Sequence, residues 1–159
     1  MVSLSEALAT IETGRQRTGR SCGSCSECCR LIGVEELAKP AGQWCTHCDP
    51  GHGCRVYPDR PKTCQGFSCL WLVNPEFGEH WRPTVAHMVI QVAGNPDRVE
   101  FVVDPDCPEV WRQSPHFEDI LGVARHGLGA GRYATYVVIG SRVMRIEPSL
   151  ARTERDGGG

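Results

Sequence analysis

Four cysteines occupy eight consecutive positions in "CGSCSECC", namely Cys22, Cys25, Cys28 and Cys29. Five more follow at Cys45, Cys48, Cys54, Cys64 and Cys69. Thiolates bind zinc and iron–sulfur clusters, and a C-x2-C pair turns two sulfurs onto one ion. The spacing predicts metal ligation by Cys22, Cys25, Cys28, Cys29, Cys45, Cys54, Cys64 and Cys69, with Cys48 as a further candidate. Cys28 and Cys29 are adjacent, and neighbouring side chains leave a helix about 100° apart or a strand on opposite faces. The pair therefore points to two nearby sites. Nine sulfurs suffice for two zinc sites of four thiolates each, or for a dinuclear centre, with one sulfur bridging, spare or redox-active.

Iron is the alternative metal. A bacterial ferredoxin run also begins C-x2-C-x2-C, but continues with three residues and Cys-Pro, whereas here Cys29 follows at once with Arg30 and Leu31 behind it. An iron–sulfur protein, acting in redox chemistry or beside a modification enzyme, is the competing expectation. His47 and His52 lie in the same segment and could replace a sulfur, although lone histidines in a Gly/Asp-rich loop are usually solvated. A closed four-sulfur site has no open coordination position, so no catalytic residue is expected at the metal. Arg30, Arg55, Arg60 and Lys62 could hydrogen-bond or neutralise thiolates, with a solvated charge as the alternative for all but Arg60.

The segments "CGSCSECC", "GQWCTHC" and "GCRVYPDRPKTCQGFSC" resemble the YkgJ-like family, bacterial cysteine-cluster proteins with a CxxCxxCC motif described as a zinc- or iron-chelating domain. The resemblance covers roughly residues 20 to 72. It implies that the eight ligands named first form the shared cluster, that Tyr57, Arg60, Pro61 and Phe67 belong to its Tyr-x2-Arg-Pro segment, and that Cys48 stands outside the commonest pattern. Flagellin lysine N-methylases look similar over the same cysteines, and this chain is expected to lack their remaining domain.

Several elements must position these sulfurs. In 159 residues, nine of the ten cysteines fall before residue 70, which divides the chain near residue 72. Residues 1–20 read as a short amphipathic helix (Leu4, Ala7, Leu8, Ile11) and a basic linker "GRQRTGR". Residues 21–72 read as a loop-dominated module rich in Gly, Pro and Asp, too poor in apolar residues to offset its chain entropy unaided. Metal would supply the deficit, since structural zinc contributes roughly 10 kcal/mol or more in small zinc-dependent peptides. Residues 73–150 read as a small α+β domain, and 151–159 as a disordered tail.

Within that domain, "VAHMVIQV" and "RVEFVV" alternate as strands, with Ala86, Met88, Ile90 and Val92 on one face and Val99, Phe101 and Val103 on another. "SPHFEDILGVARHG" predicts a helix capped by Ser114, opened by Pro115, striped by Phe117, Ile120, Leu121, Ala124 and Leu128, and stopped near Gly127. Two further strands flank Gly140-Ser141, a pair suited to a type II′ turn. The expected fold class is α+β: a Cys-rich metal module packed on a small antiparallel sheet with two or more helices.

The formal charge of −2 gives no bulk attraction for nucleic acid or an anionic membrane. Neither a secretory leader nor a membrane span is legible, so the expected location is the cytoplasm, where thiols stay reduced. The expected partners are metal ions and a protein. Asp104 and Asp106 in "VVDPDCP" fit Asp-Pro turn chemistry better than ligation, and Cys107 reads as a lone structural thiol. Dinucleotide and phosphate-loop signatures are lacking; "GLGAGR" follows a helix and reads as a loop.

Overall fold

Because the cysteine segment has few apolar residues, its elements are short. The computed structural model describes residues 16–92 and 97–148. The chain forms two units, Met1–Val89 and Ile90–Gly159. The predicted helix around Leu4–Ile11, the turn at 93–96 and the tail lie outside the described residues.

The first unit carries α1 (Glu27–Leu31), the two-residue strands β1 (Cys48–Asp49) and β2 (Gly53–Cys54), α2 (Lys62–Gly66), α3 (Leu70–Val73) and α4 (Pro83–Ala86). Single 3-10 turns at Glu35–Leu37, Tyr57–Asp59 and Glu79–Trp81 join them. Leu31 and Val34 are its early buried apolar residues, and Trp71, Leu72, Phe77, Trp81 and Ala86 are the later ones. Phe77 meets Trp81 edge-on, with ring centroids 6.0 Å apart. Much of this unit's core thus comes from beyond residue 72, which is why the unit ends at Val89 rather than at the break in composition.

The second unit is built on the sheet ordered β3-β4-β5-β6. Its strands are β3 (Met88–Val92), within which the division falls, β4 (Arg98–Val103), β5 (Ala134–Ile139) and β6 (Arg142–Arg145). The expected strand start at Val85 is corrected: Pro83–Ala86 is a helical turn, and His87 breaks it with φ 54°. The expectation of an antiparallel sheet is also corrected. β4 and β5 run parallel, from Arg98↔Ala134 to Val103↔Ile139, while β5 and β6 are antiparallel. The reason is α5 (His116–Gly129), which sits between β4 and β5 in the chain; a crossover helix returns the chain to the same end of the sheet. The fold class is α+β with small antiparallel and mixed sheets.

β5 and β6 are joined through Gly140-Ser141, with Ile139 paired to Arg142. Gly140 has φ 57° and Ser141 is not at positive φ, as a type II′ turn requires. On α5, Ile120, Leu121 and Ala124 are buried as predicted, while Leu128 is exposed. The helix stops near Gly127 as expected, its last residue being Gly129. Gly127 lies inside the helix, where an added Cβ would come within 2.3 Å of the Tyr133 ring and 2.6 Å of the Tyr133 carbonyl oxygen. Tyr133 folds back over this glycine and donates from its hydroxyl to the Val123 carbonyl at 3.1 Å. The N-cap is Pro115 rather than Ser114, with no side-chain cap.

Candidate metal centre

The sulfurs are delivered by turns. The Cys25 N–H donates to the Cys22 carbonyl at 2.9 Å, and Gly23 closes that turn in the left-handed region at φ 53°. α1 then presents Cys28 and Cys29, anchored by buried Leu31 at its end. The Cys45 N–H bonds the Cys29 carbonyl at 3.0 Å, tying the second cysteine segment to the first. A similar turn follows: the Cys48 N–H reaches the Cys45 carbonyl at 3.1 Å, and the His47 N–H points at Cys45 Sγ at 3.4 Å. Backbone N–H donors aimed at sulfur favour the thiolate form, which is the metal-binding form. β1 pairs with β2 so that Cys48 lies opposite Cys54.

The Cys54–Cys64 connection is held by Arg60. Expected as a thiolate neutraliser, Arg60 instead donates from Nη1 to the Tyr57 carbonyl at 2.8 Å and from Nε to the Cys64 carbonyl at 3.4 Å. Its guanidinium stacks over the Tyr57 ring at 4.0 Å. Glu36 secures the start of α2, accepting from the Thr63 N–H at 2.9 Å and hydroxyl at 2.6 Å. The Thr63 bonds hold the Glu36 carboxyl below its usual range. Finally, α3 follows Cys69 directly and buries Trp71 and Leu72.

These segments enclose one cavity of about 120 Å³. Cys22, Cys25, Cys28 and Cys29 line it from the first segment. Cys45, Cys54, Cys64 and Cys69 line it from the later ones. The eight cysteines of the predicted ligand set thus share a single cavity, and all ten cysteines of the chain are free thiols. Cys48 does not line the cavity; it is buried, and its thiol hydrogen-bonds to the Cys29 thiol and the Ser26 side chain. His47 lines the cavity, whereas His52 does not and is largely exposed beside Asp49 at 3.7 Å.

Cys28 and Cys29 face the same cavity, and their thiols hydrogen-bond to each other. Adjacency in α1 therefore does not send the two sulfurs apart. The bond to Cys28, then burial, pushes the Cys29 thiol far up. Burial raises Cys25 and Cys64 as well, with neighbouring sulfurs adding to it. Cys48 is pushed up to about 12, first by burial and then by the charge of Cys29. Such a cluster resists ionising without a cation among its sulfurs, and divalent metal is the cation that thiolates bind. The donor set, the turns and the N–H aimed at Cys45 Sγ all fit a thiolate metal centre.

Two features of this unit escape a sequence reading. Lys39 is buried, and its Nζ donates to the carbonyls of Arg30, Ile32 and Pro40. Trp71 lines the cavity, and its buried indole N–H has no hydrogen-bond partner. The predicted linker also proves structured: residues 16–18 are helical, the Thr18 hydroxyl donates to the Leu72 carbonyl at 2.7 Å, and Arg20 donates to the carbonyls of Trp71 and Asn74. In the second unit, Asp104 Oδ1 accepts from the Asp106 N–H at 2.9 Å, the turn role expected of that pair.

Comparison of the chain with family models, with curated proteins and with solved structures finds no match. Among the described residues no helix is long and apolar enough to cross a membrane.

Proposed function

We propose that this protein is a metal-binding cysteine-cluster protein that chelates zinc through Cys22, Cys25, Cys28, Cys29, Cys45, Cys54, Cys64 and Cys69, in two four-sulfur sites or one dinuclear centre, and that it is a distant member of the YkgJ-like group. The observation carrying this reading is the convergence of these eight cysteines on one cavity, with Cys48 left outside it. Zinc would supply folding energy to a segment with few buried apolar residues of its own. Its role would be structural, holding the first unit in shape for a partner protein or an accessory task. With four thiolates on each ion, no coordination position is left for a reacting water.

An iron–sulfur cluster is the second reading, and the size of the cavity favours it. A water needs about 10–15 Å³ of such space, so about 120 Å³ admits a polyatomic group with its own sulfides. The unpartnered Trp71 N–H would then have an acceptor within the cavity. Anaerobic purification followed by elemental analysis and an absorption spectrum separates the two. Stoichiometric zinc without a band near ~400 nm is the expected result. Iron with labile sulfide and broad visible absorption would replace the zinc reading, and a chain holding neither metal would end both.

A further inference from the structure

We propose that the indole N–H of Trp71 is the hydrogen-bond donor to a sulfur of the loaded metal centre, and that this bond tightens the hold of the centre on its metal; this rests on the metal reading above. Trp71 is only 5% exposed and lines the cysteine cavity, as does Cys69 two positions before it. Its Nε1 is buried and has no hydrogen-bond partner among the described residues. A donor shut away from water without an acceptor is unfavourable, and native interiors hold few of them. Core packing accounts for the burial of the ring, but not for a donor left over at the wall of a cavity.

The indole is fixed where it stands. α3 carries it, with the Trp71 carbonyl accepting from Arg20 and the Leu72 carbonyl from the Thr18 hydroxyl. The guanidinium carbons of Arg20 and Arg82 lie 4.7 and 5.4 Å from the centre of its ring. Both are cations that donate and cannot accept, so neither takes the indole proton. Loading the centre supplies the acceptor. A ligand thiolate, or a sulfide if the group is an iron–sulfur cluster, carries negative charge and lone pairs, whereas a neutral thiol accepts only weakly. A hydrogen bond to such a sulfur spreads its charge, which steadies a thiolate against protonation and loss of metal and favours the reduced form of an iron–sulfur cluster.

The test uses the full chain and Trp71→Phe, which keeps an aromatic face for both guanidinium groups and removes the N–H. Isotope-labelled protein is titrated with Zn²⁺ while the indole N–H signals are followed by NMR, and the signal missing from Trp71→Phe is that of Trp71. It should move downfield on loading and exchange more slowly with solvent deuterium, and a chelator should reverse both. Trp81, buried in the same unit but not lining the cavity, is the internal control and should move less. Trp71→Phe should bind the wild-type number of zinc equivalents about 10-fold more weakly in competition with a chromophoric chelator. If the anaerobically purified chain carries iron and sulfide instead, its reduction potential should fall in Trp71→Phe, because the lost bond favoured the extra negative charge of the reduced cluster. If Trp71→Phe does not fold by circular dichroism, the Trp71 signal is assigned in the wild-type chain from its through-space contacts and decides alone. A Trp71 signal that stays in place while zinc binds in full, a folded Trp71→Phe chain with wild-type zinc affinity, or an unchanged potential in the iron form overturns the donor role alone. A wild-type chain that holds neither zinc nor iron overturns the metal reading and this inference with it.

Discussion

The thiols of Cys48 and Cys29 are hydrogen-bonded, yet only Cys29 faces the cavity. The ninth sulfur of the cluster therefore stands behind a candidate ligand. Cys48→Ala should keep the full count of metal equivalents while losing metal faster to a chelator, by roughly 10-fold. Cys48→Ser, which still donates, should restore most of the difference. Loss of a whole metal equivalent from Cys48→Ala would make Cys48 a ligand and refute its supporting role.

Cys28 and Cys29 sit side by side in α1 with their thiols bonded to each other, facing one cavity. Serine substituted at each position separately should remove different metal equivalents, resolved by Co²⁺ substitution and absorption of the d–d bands. Identical spectra and the same single lost equivalent from both variants would contradict a two-ion centre.

The pH response should reverse sign with metal. Without metal, Cys25, Cys29, Cys48 and Cys64 hold their protons to higher pH in the folded chain than an ordinary thiol does, so the folded chain keeps protons that the unfolded chain releases first. Their contribution is fully present below about pH 9 and is lost as pH rises toward the folded values, about 12 for Cys48. The metal-free chain should therefore melt at a lower temperature at pH 10 than at pH 8. With metal bound, the ligands must be deprotonated, so stability should fall on acidification instead. Thermal unfolding across this range, with and without a chelator under reducing conditions, measures both slopes; parallel slopes would disprove the coupling.

Gly127→Ala tests the second unit. The new methyl would meet both the ring and the carbonyl oxygen of Tyr133, and rotating the ring relieves only one of these contacts. Destabilisation of about 2–3 kcal/mol is expected from overpacking, despite the better helix propensity of alanine. Combining it with Tyr133→Ala should relieve the ring clash but leave the carbonyl, so a double variant restored to the Tyr133→Ala level would show that the backbone contact is harmless.

That Cys22, Cys25 and Cys28 share one cavity was legible locally, because C-x2-C turns act before any tertiary contact is made, whereas Cys54, Cys64 and Cys69 join them from more widely spaced segments. The parallel pairing of β4 with β5 was not legible: an alternating pattern says nothing of strand direction, and on β4 both faces are buried from Val99 to Val103. Lys39 carries no signature either, since its Val-Glu-Glu-Leu-Ala-Lys context resembles any solvated helical turn, whereas its ammonium turns back onto the carbonyls of Arg30, Ile32 and Pro40. Arg60 had the right residue type for a thiolate partner, yet its guanidinium fork finds two carbonyls within its own loop. The close packing at Gly127 was not legible, because the tyrosine that lies on it returns only after the helix has ended.

Thr18 and Arg20 bear on where a recombinant fragment of this unit should start. A cut at Ser21, just ahead of the first cysteine, removes the hydroxyl and guanidinium that satisfy the free carbonyls of Trp71, Leu72 and Asn74 at the end of α3. It also removes the Arg20 cation that lies 4.7 Å from the centre of the Trp71 ring. The smallest piece that keeps Cys69 properly seated therefore begins upstream of every ligand, with the basic stretch acting as a latch on the far end of the cluster.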